Sequence, residues 1–180
     1  DARDVLFDFD TDDDASTIEN EVSAAVGDIL VGYMVLNDFH EDYNYLHAMQ
    51  FGLEVSDGLE MMGSSLEIDR GATFQDGLEG IAIAFGEPFS RADLPLFAVR
   101  FIVRVLEPTP QSVRIVPSTG WDHPYDHVLF VVSDTEGGLI ETIENYATEM
   151  EQAAARINET TPIEEKTWSA IKRLFDDDTI

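Results

Sequence analysis

The sequence from residue 94 to residue 106, Leu-Pro-Leu-Phe-Ala-Val-Arg-Phe-Ile-Val-Arg-Val-Leu, decides how this chain folds. Its β-branched and aromatic residues favour a strand over a helix. Because side chains alternate between the two faces of a strand, the odd-numbered positions from Phe97 to Val105 predict one continuous apolar face. The opposite face is half polar, since it carries Arg100 and Arg104 beside Ala98 and Ile102. The apolar face requires a second layer of structure packed over it.

Strand-like segments recur on both sides of this stretch, about every ten residues, with turn-forming residues between them. The pattern predicts a mainly β protein, an antiparallel β-sandwich of about eight strands over residues 1–135. The predicted strands are Val5–Phe9, Ile29–Leu36, 47–55, Leu66–Ile68, Gly80–Phe85, Leu94–Leu106, Val113–Val116 and His127–Ser133.

The periodicity changes after Gly137 and Gly138, where apolar residues recur at helical spacing with glutamates between them. These residues are Leu139, Ile143, Tyr146, Met150, Ala153 and Ile157. The spacing predicts an amphipathic helix within residues 136–158, outside the sandwich. Residues 159–180 are then predicted to form a linker and a C-terminal tail.

The tail contains a short apolar stripe with Lys172 and Arg173 beside it. The stripe consists of Trp168, Ile171, Leu174 and Phe175. A helix this short is marginal in water, so the tail is predicted to dock on its own domain or on a neighbour. We assign its four apolar residues to assembly, together with Val5, Phe7 and Phe9 of the first strand, which is apolar enough to complete a neighbour's sheet.

The charge is unusual, because 37 acidic residues against 10 basic ones give a formal net charge of −27. Such a chain is repelled by nucleic acid and by anionic membrane surfaces, so we predict no nucleic-acid partner. No apolar run approaches the length of a membrane helix, so we also predict no membrane insertion. Three explanations stay open: a high-salt habitat, bound divalent cations, or an acidic soluble surface. The chain has no cysteine, so we predict no disulfide framework. It begins at Asp1 and not at Met, which suggests removal of an N-terminal segment such as an export signal, although a chosen boundary would look the same.

Two parts of the sequence resemble known protein groups. The strand pattern resembles the cohesin-like, immunoglobulin-like β-sandwich modules of exported bacterial proteins. The matching segments are Val5-Leu-Phe-Asp-Phe9, Gly32-Tyr-Met-Val-Leu-Asn37, residues 48–58, Ile81-Ala-Ile-Ala-Phe85 and residues 95–103. The tail, Thr167-Trp-Ser-Ala-Ile-Lys-Arg-Leu-Phe175, is similar to the Thr-Trp-x-x-(Ile/Val)-Lys-x-Leu-(Tyr/Phe) ending of uncharacterised exported bacterial proteins. Both resemblances imply a secreted or cell-surface module without a catalytic residue.

The acidic segment from residue 8 to residue 19 is the sharpest candidate for a metal site. Laid on a twelve-residue calcium loop, its carboxylates fall at positions 1, 3, 5, 7 and 12. The predicted Ca²⁺ ligands are Asp8, Asp10, Asp12, Asp14 and Glu19. Asp13 stands where the calcium loop has glycine, and a strand precedes the loop where a helix is usual. A solvated acidic loop is the alternative.

An aromatic segment, Trp121-Asp-His-Pro-Tyr-Asp-His127, offers two further possibilities. His123 and His127 with a neighbouring aspartate suit a transition metal, although Pro124 excludes the helical geometry of zinc hydrolases. The aromatic rings also suit stacking on a sugar, with Tyr43 and Tyr45 as a second platform. Packing over one end of a sandwich is the alternative.

The sequence contains no nucleophile elbow, phosphate-binding glycine loop or cysteine, so we predict no enzyme. The first functional hypothesis is an extracellular or cell-surface structural subunit that self-associates, as a filament or surface assembly, through its N-terminal strand, its C-terminal tail or both. The alternative is a monomeric calcium-dependent adhesion or glycan-binding module of a cell-surface complex.

Overall fold

A computed structural model describes residues 5–9, 18–39, 42–66, 71–119, 128–145 and 154–159. This part of the chain forms twelve strands and one 3-10 turn, Arg91–Asp93. The strands are β1 (Val5–Phe9), β2 (Glu21–Val22), β3 (Ile29–Leu36), β4 (Tyr45–Val55), β5 (Leu59–Leu66), β6 (Gly71–Asp76), β7 (Gly80–Ser90), β8 (Leu96–Val105), β9 (Gln111–Val116), β10 (Val128–Ser133), β11 (Glu141–Asn145) and β12 (Ala154–Ile157).

The strands form two sheets. The smaller sheet has the order β1-β3-β8-β5, and the larger has the order β11-β10-β4-β9-β12-β2, with β7 also paired to β4 and β6 to β7. The described pairs are antiparallel, apart from the parallel pair of β12 and β2. The predicted mainly β sandwich is therefore confirmed, with twelve strands in the described residues where about eight were expected.

The core lies between the sheets and is centred on Phe101 of β8. The Phe101 ring makes edge-to-face contacts with Phe7 and Phe9 of β1, at centroid distances of 6.1 and 6.2 Å. Its tip rests on the backbone of Gly32 in β3, where an added Cβ would lie 2.4 Å from Phe101 Cζ. From the larger sheet, Met49, Phe51, Ile83 and Phe130 complete the same buried cluster.

The central stretch folds as predicted except at its start. Residues 99, 101, 103 and 105 face the core, but a register shift in the β3–β8 pair places Val35 opposite Phe97 and Met34 opposite Val99. Ala98 is therefore an extra residue in β8, and it is fully buried. Phe97 turns to the outer face, where its ring packs edge-on against Tyr33 at 5.6 Å. The prediction that Phe97 faces the core is wrong, because simple alternation does not anticipate a bulge.

The amphipathic helix predicted within residues 136–158 is wrong for the described residues. Residues 141–145 form β11, which pairs with β10, and residues 154–157 form β12, which pairs with β9. Ile143 packs on the core from one strand, and Ala155 and Ile157 pack on it from the other. Of the residues that gave the helical spacing, Ile143 lies in β11 and Ile157 in β12. Residues 146–153 lie outside the described ranges.

Replacing Gly32 tests the contact at the centre of the core. We expect Gly32→Ala to lower the free energy of unfolding by about 1–3 kcal/mol, because the new methyl group must displace the Phe101 ring or the strand. Urea denaturation measures the change. Gly63→Ala is the matched control, since nothing lies within 4 Å of a Cβ built there. Equal effects of the two substitutions would contradict the packing.

Substitution of Glu141 tests the strand position of β11. Tyr43 Oη donates a hydrogen bond of 2.7 Å to Glu141 Oε2. That bond, with some burial and the nearby acidic charges, raises the pKa of Tyr43. Because the pKa of Tyr43 is higher in the folded chain than in the unfolded one, Tyr43 stabilises the fold at pH values below its unfolded-state pKa. This stabilisation is lost as the pH rises through the folded-state pKa of Tyr43. We expect Glu141→Gln to lower the Tyr43 pKa in an NMR titration and Glu136→Gln to leave it unchanged. An unchanged Tyr43 pKa in Glu141→Gln would contradict this contact.

Candidate functional site

The outer face of the larger sheet carries an uncharged patch at its centre, which we call the neutral face. Along β4, β7 and β10 the alternate residues face the core, and the remaining ones face outward. The outward residues form two rows across the three strands, Val131–Ala48–Ala84 and Leu129–Gln50–Ala82. The neutral face consists of these six residues, of which Leu129 is buried, with 7% of its surface exposed, and the other five are half-buried.

The composition of the neutral face differs from that of the chain. Charged residues make up 26% of the sequence, and none lies in these rows across β10, β4 and β7, although Glu144 of β11 pairs opposite Leu129 at the end of one row. Three of the six residues are alanines, so another backbone can approach the sheet closely. The apolar character continues next to β11, where Leu139 and Ile140 expose 80% and 55% of their surface. The face therefore has the chemistry of an interface centre rather than of a solvated acidic surface.

Exposed acidic residues surround the neutral face. Glu54 lies further along β4, Glu87 follows Ala84 by three residues in β7, and Asp134 follows the end of β10. Glu54 is engaged, since Arg114 Nη2 donates to its Oε1 at 2.7 Å. The rim is therefore acidic although the centre is neutral.

An open groove of about 750 Å³ lies where β4 passes from the neutral face toward β9. Its apolar walls are Leu53, Val55, Leu78, Ile115, Val116 and Pro117. The added Cβ of an alanine at Gly52 would meet the Glu79 carbonyl oxygen at 3.0 Å, so the turn after β6 packs tightly on this part of β4. Glu54, Glu79 and Arg114 line the same groove, so its walls are charged as well as apolar.

The structure brings together the two ends of the predicted calcium loop. Asp8 is buried in β1, and its Oδ1 accepts a 2.8 Å hydrogen bond from the backbone N–H of Glu19. The backbone N–H of Phe9 donates to the Glu19 carbonyl oxygen, also at 2.8 Å. One carboxylate oxygen of Asp8 is therefore already used in the hydrogen bond that joins the two ends of the loop. The other predicted ligands, Asp10, Asp12 and Asp14, lie outside the described residues, so calcium binding stays a prediction.

The aromatic segment from Trp121 to His127 also lies outside the described residues. Of its predicted companions, Tyr43 packs against the core and is tied to Glu141, so its ring is not a free stacking platform. Tyr45 is half-buried in β4. Among the described residues no group of three or more His, Asp or Glu side chains is placed to hold a metal ion.

A histidine and a serine do meet within the described residues. His47 Nε2 lies 2.8 Å from Ser133 Oγ, and Ser133 Oγ donates to the carbonyl oxygen of Thr135 at 2.7 Å. Because the hydroxyl proton is already donated, His47 Nε2 is the donor to Ser133. The hydroxyl is also fully buried, so this pair orders the end of β10 and does not present a nucleophile.

The residues assigned to assembly at the N-terminus serve the chain's own core. Val5, Phe7 and Phe9 are 1–2% exposed, and β1 pairs along its length with β3 of the same chain. Trp168, Ile171, Leu174 and Phe175 lie outside the described residues. Self-association through either segment stays a prediction. The sequence reasoning missed the neutral face, although the alternation Ile81-Ala-Ile-Ala-Phe85 predicts small residues opposite the core side of β7.

Most arginines of the described strands have acidic partners. Arg104 Nη1 donates to Glu60 at 2.8 Å, and Arg156 Nη1 lies 2.8 Å from Glu159. Arg91 forms an ion pair with Asp38 and lies 4.6 Å from the centre of the Phe39 ring. Arg100 has no acidic partner within the described ranges. In the part of the chain that the structure covers, no helix is long and apolar enough to cross a membrane.

Calcium titration tests the predicted loop. Asp12 and Asp14 are the best residues to change, because Asp8 already binds the backbone of Glu19. We expect calcium to raise the Tm of the unmodified chain by binding the native loop, and to have no effect on an Asp12→Asn/Asp14→Asn variant. Differential scanning fluorimetry in calcium, magnesium and chelator measures this. A Tm that rises equally in both chains, or in neither, would rule out the loop as the site.

No protein-family model matches the chain, and no curated protein matches it. Solved structures similar to it are cohesin modules. The cohesin module from Clostridium perfringens ATCC13124 family 33 glycoside hydrolase is 10% identical over 87% of this chain and 98% of its own, with a TM-score of 0.48. A type II cohesin domain from the cellulosome of Acetivibrio cellulolyticus is 13% identical over 86% and 94%, with a TM-score of 0.47.

The third ScaB cohesin of R. flavefaciens, solved in complex with a group 1 dockerin, is also similar to this chain. It is 13% identical over 89% of this chain and 97% of its own, with a TM-score of 0.46. These neighbours match the resemblance to cohesin modules that the strand pattern suggested. The resemblance of the C-terminal tail to other exported proteins stays a prediction.

Proposed function

We propose that this chain is a non-enzymatic, extracellular or cell-surface module that binds another polypeptide on the neutral face. The observation that carries the proposal is the pair of uncharged rows across β10, β4 and β7 in a chain of net charge −27. Burying an unpaired charge in an interface is costly, and interface centres are correspondingly depleted in charged residues.

The size of the neutral face determines what a partner must look like. Two rows across three strands cover about 200 Å², whereas a stable interface buries about 800 Å² on each partner. A partner must therefore also contact the surroundings of the face. These include the exposed Leu139 and Ile140 beside β11, and the acidic rim.

The acidic rim sets the charge of that partner. Complementary charges at the edge of an interface accelerate association and exclude like-charged competitors. A segment with an apolar centre and flanking lysine or arginine side chains fits both the neutral face and the rim at Glu54, Glu87 and Asp134. An acidic segment would fit the centre but be repelled at the edge.

The alternative function is a monomeric calcium-dependent adhesion or glycan-binding module. It is supported by the acidic loop at residues 8–19 and the aromatic segment at residues 121–127, both of which lie largely outside the described residues. The neutral face favours protein binding over this alternative.

A charge placed at the centre of the neutral face tests the proposal. The probes are two designed helical peptides with the same leucine stripe, one flanked by lysines and the other by glutamates. We expect the full chain to bind the lysine peptide at least tenfold more tightly in fluorescence anisotropy, and Ala84→Glu to weaken this binding at least tenfold by placing a charge in the interface.

The control is Ala92→Glu, which adds the same charge at an exposed position in the 3-10 turn. This control distinguishes damage to the neutral face from a general change in charge. A negative charge added away from the face can only attract the lysine peptide, so Ala92→Glu should not weaken its binding. Circular dichroism confirms that both variants fold. Equal binding by the two variants, or no binding of either peptide to the unmodified chain, would reject the proposal.

A further inference from the structure

We infer that the outer face of the smaller sheet is a second interaction surface, and that it binds an apolar polypeptide surface carrying one carboxylate. The core lies between the two sheets, so this surface and the neutral face are on opposite sides of the sandwich. The inference goes beyond the proposed function and does not depend on it. With both surfaces occupied, the chain links two polypeptides.

The outward residues of β3 and β8 form an apolar strip on the smaller sheet. The register places Ile29 opposite Arg104 and Val31 opposite Ile102, and Ile102 lies opposite Gly63 of β5 on its other side. Further apolar residues lie in the turn before β3, in the bulge of β5 and directly after β8. We call the set the aliphatic face, and it consists of Val26, Ile29, Val31, Met62, Ile102 and Leu106.

Exposed apolar surface is concentrated on the aliphatic face. Seven large apolar residues are exposed in the described part of the chain, and four of them belong to this face. Val26 and Ile29 expose 57% and 54% of their surface, and Met62 and Leu106 expose 45% and 46%. Adjacent exposed apolar residues of this kind mark an interaction surface, whereas single ones are common on any protein.

The turn before β3 holds Val26 in a fixed position. The backbone N–H of Asp28 donates to the Ala25 carbonyl oxygen at 3.1 Å, and Asp28 Oδ2 accepts from the Ala25 N–H at 2.8 Å. Gly27 supplies the positive φ, 96°, at the third position of this turn. Its N–H also donates to the Val105 carbonyl oxygen at 2.8 Å, which fixes the turn beside the end of β8. The face is therefore preorganised, which lowers the entropic cost of binding.

The charges on this side of the sheet determine what the partner must carry. Arg104 Nη1 donates to Glu60 Oε2 at 2.8 Å, so these two charges balance each other. Arg100 lies two residues from Ile102, or about 7 Å along β8, and is half-buried. Unlike Arg104, it has no acidic partner within the described residues. One uncompensated cation therefore lies beside the aliphatic face.

The acid in the same row of the sheet does not balance Arg100. Tyr33 lies opposite Arg100 on one side and opposite Asp8 on the other, so Asp8 is two strands, or about 10 Å, away. Asp8 is buried, and its Oδ1 accepts the hydrogen bond from Glu19. A purely apolar partner would strip water from the Arg100 guanidinium without pairing it, which is costly. A partner that places one carboxylate over Arg100 avoids this cost.

The same charges argue against a second copy of this chain as the partner. Two aliphatic faces stacked on each other bring together two unpaired Arg100 side chains, while Glu60 is already paired with Arg104. The net charge of −27 on each copy adds repulsion at low ionic strength. It also disfavours a strongly acidic partner. The surface therefore suits a foreign polypeptide whose negative charge is limited to the position that faces Arg100.

Two designed helical peptides test the inference on the full chain. Each has about twenty residues, because the outward strip of β8 from Phe97 to Leu106 is about 30 Å long. Both carry the same leucine stripe and differ at one position beside it, which is glutamate in one peptide and glutamine in the other. We expect the chain to bind the glutamate peptide at least fivefold more tightly in fluorescence anisotropy.

Three variants locate the binding site. Arg100→Gln should remove the preference, so that the two peptides bind alike, and Ile102→Gln should weaken the binding of both at least tenfold. The matched control is Arg156→Gln, which removes another half-buried arginine, one that is paired with Glu21 and Glu159 in the other sheet. This control should keep the preference for the glutamate peptide. Circular dichroism confirms that all three variants fold.

Several outcomes would overturn the inference. These are a preference that survives in Arg100→Gln, an equal loss in Arg100→Gln and Arg156→Gln, and no binding of the glutamate peptide. A concentration-dependent mass by light scattering that is lost in Ile102→Gln would make a second copy the occupant and would overturn the choice of partner.

Competition between peptides separates this surface from the neutral face. An excess of the lysine peptide should not displace the glutamate peptide. Displacement would show that both lie on the neutral face, and would overturn this inference while leaving the proposed function intact. If the lysine peptide fails to bind while the glutamate peptide binds as expected, the second surface is supported and only the neutral face is rejected.

Discussion

The contact between the Phe101 ring and the bare backbone of Gly32 fixes the first strand in the smaller sheet. The ring projects from β8 across the missing side chain of β3, so it reaches Phe7 and Phe9 of β1 on the far side. The first strand is thereby held in its own sheet by packing as well as by backbone pairing. Exchange of β1 between copies would bury the same three side chains in the neighbour's identical sheet and would therefore add no buried surface. This is why the neutral face, rather than β1, supports an assembly hypothesis.

The same alternation that buries the core also creates the neutral face. In β4, Met49 and Phe51 point inward, and Ala48 and Gln50 therefore point outward beside residues of β7 and β10. Uncharged outward residues are not needed for folding, since a solvated sheet face accepts charged residues readily. In a chain with 37 acidic residues, none lies in these two rows across β10, β4 and β7, and the first acidic residue in register with them is Glu144 of β11.

Much of the architecture follows from local pattern, because strands such as β3, β8 and β10 alternate apolar and polar residues or are apolar throughout. The sequence predicted only Leu66–Ile68 where β5 runs over Leu59–Leu66, and it did not predict β6. The sequence of β5, Leu-Glu-Met-Met-Gly-Ser-Ser-Leu, has little intrinsic strand preference, and it becomes a strand by pairing with β8. The neutral face could not be predicted from the sequence. Its residues come from three strands, and which residues of these strands lie side by side is defined only by the register of the folded sheet. Ala48 and Val131 are 83 positions apart in the chain, yet directly opposite in the sheet.

The acidic rim also decides how copies of the chain can meet. Two neutral faces stacked directly on each other would bring two acidic rims together around a small apolar centre of about 200 Å². Like charges in such contact cost several kcal/mol, which an interface far below the usual size does not recover. A segment that carries its own cations avoids this repulsion while using the same centre. The arrangement therefore suits a face that binds segments and resists pairing with itself, and this separates ordered docking from nonspecific aggregation.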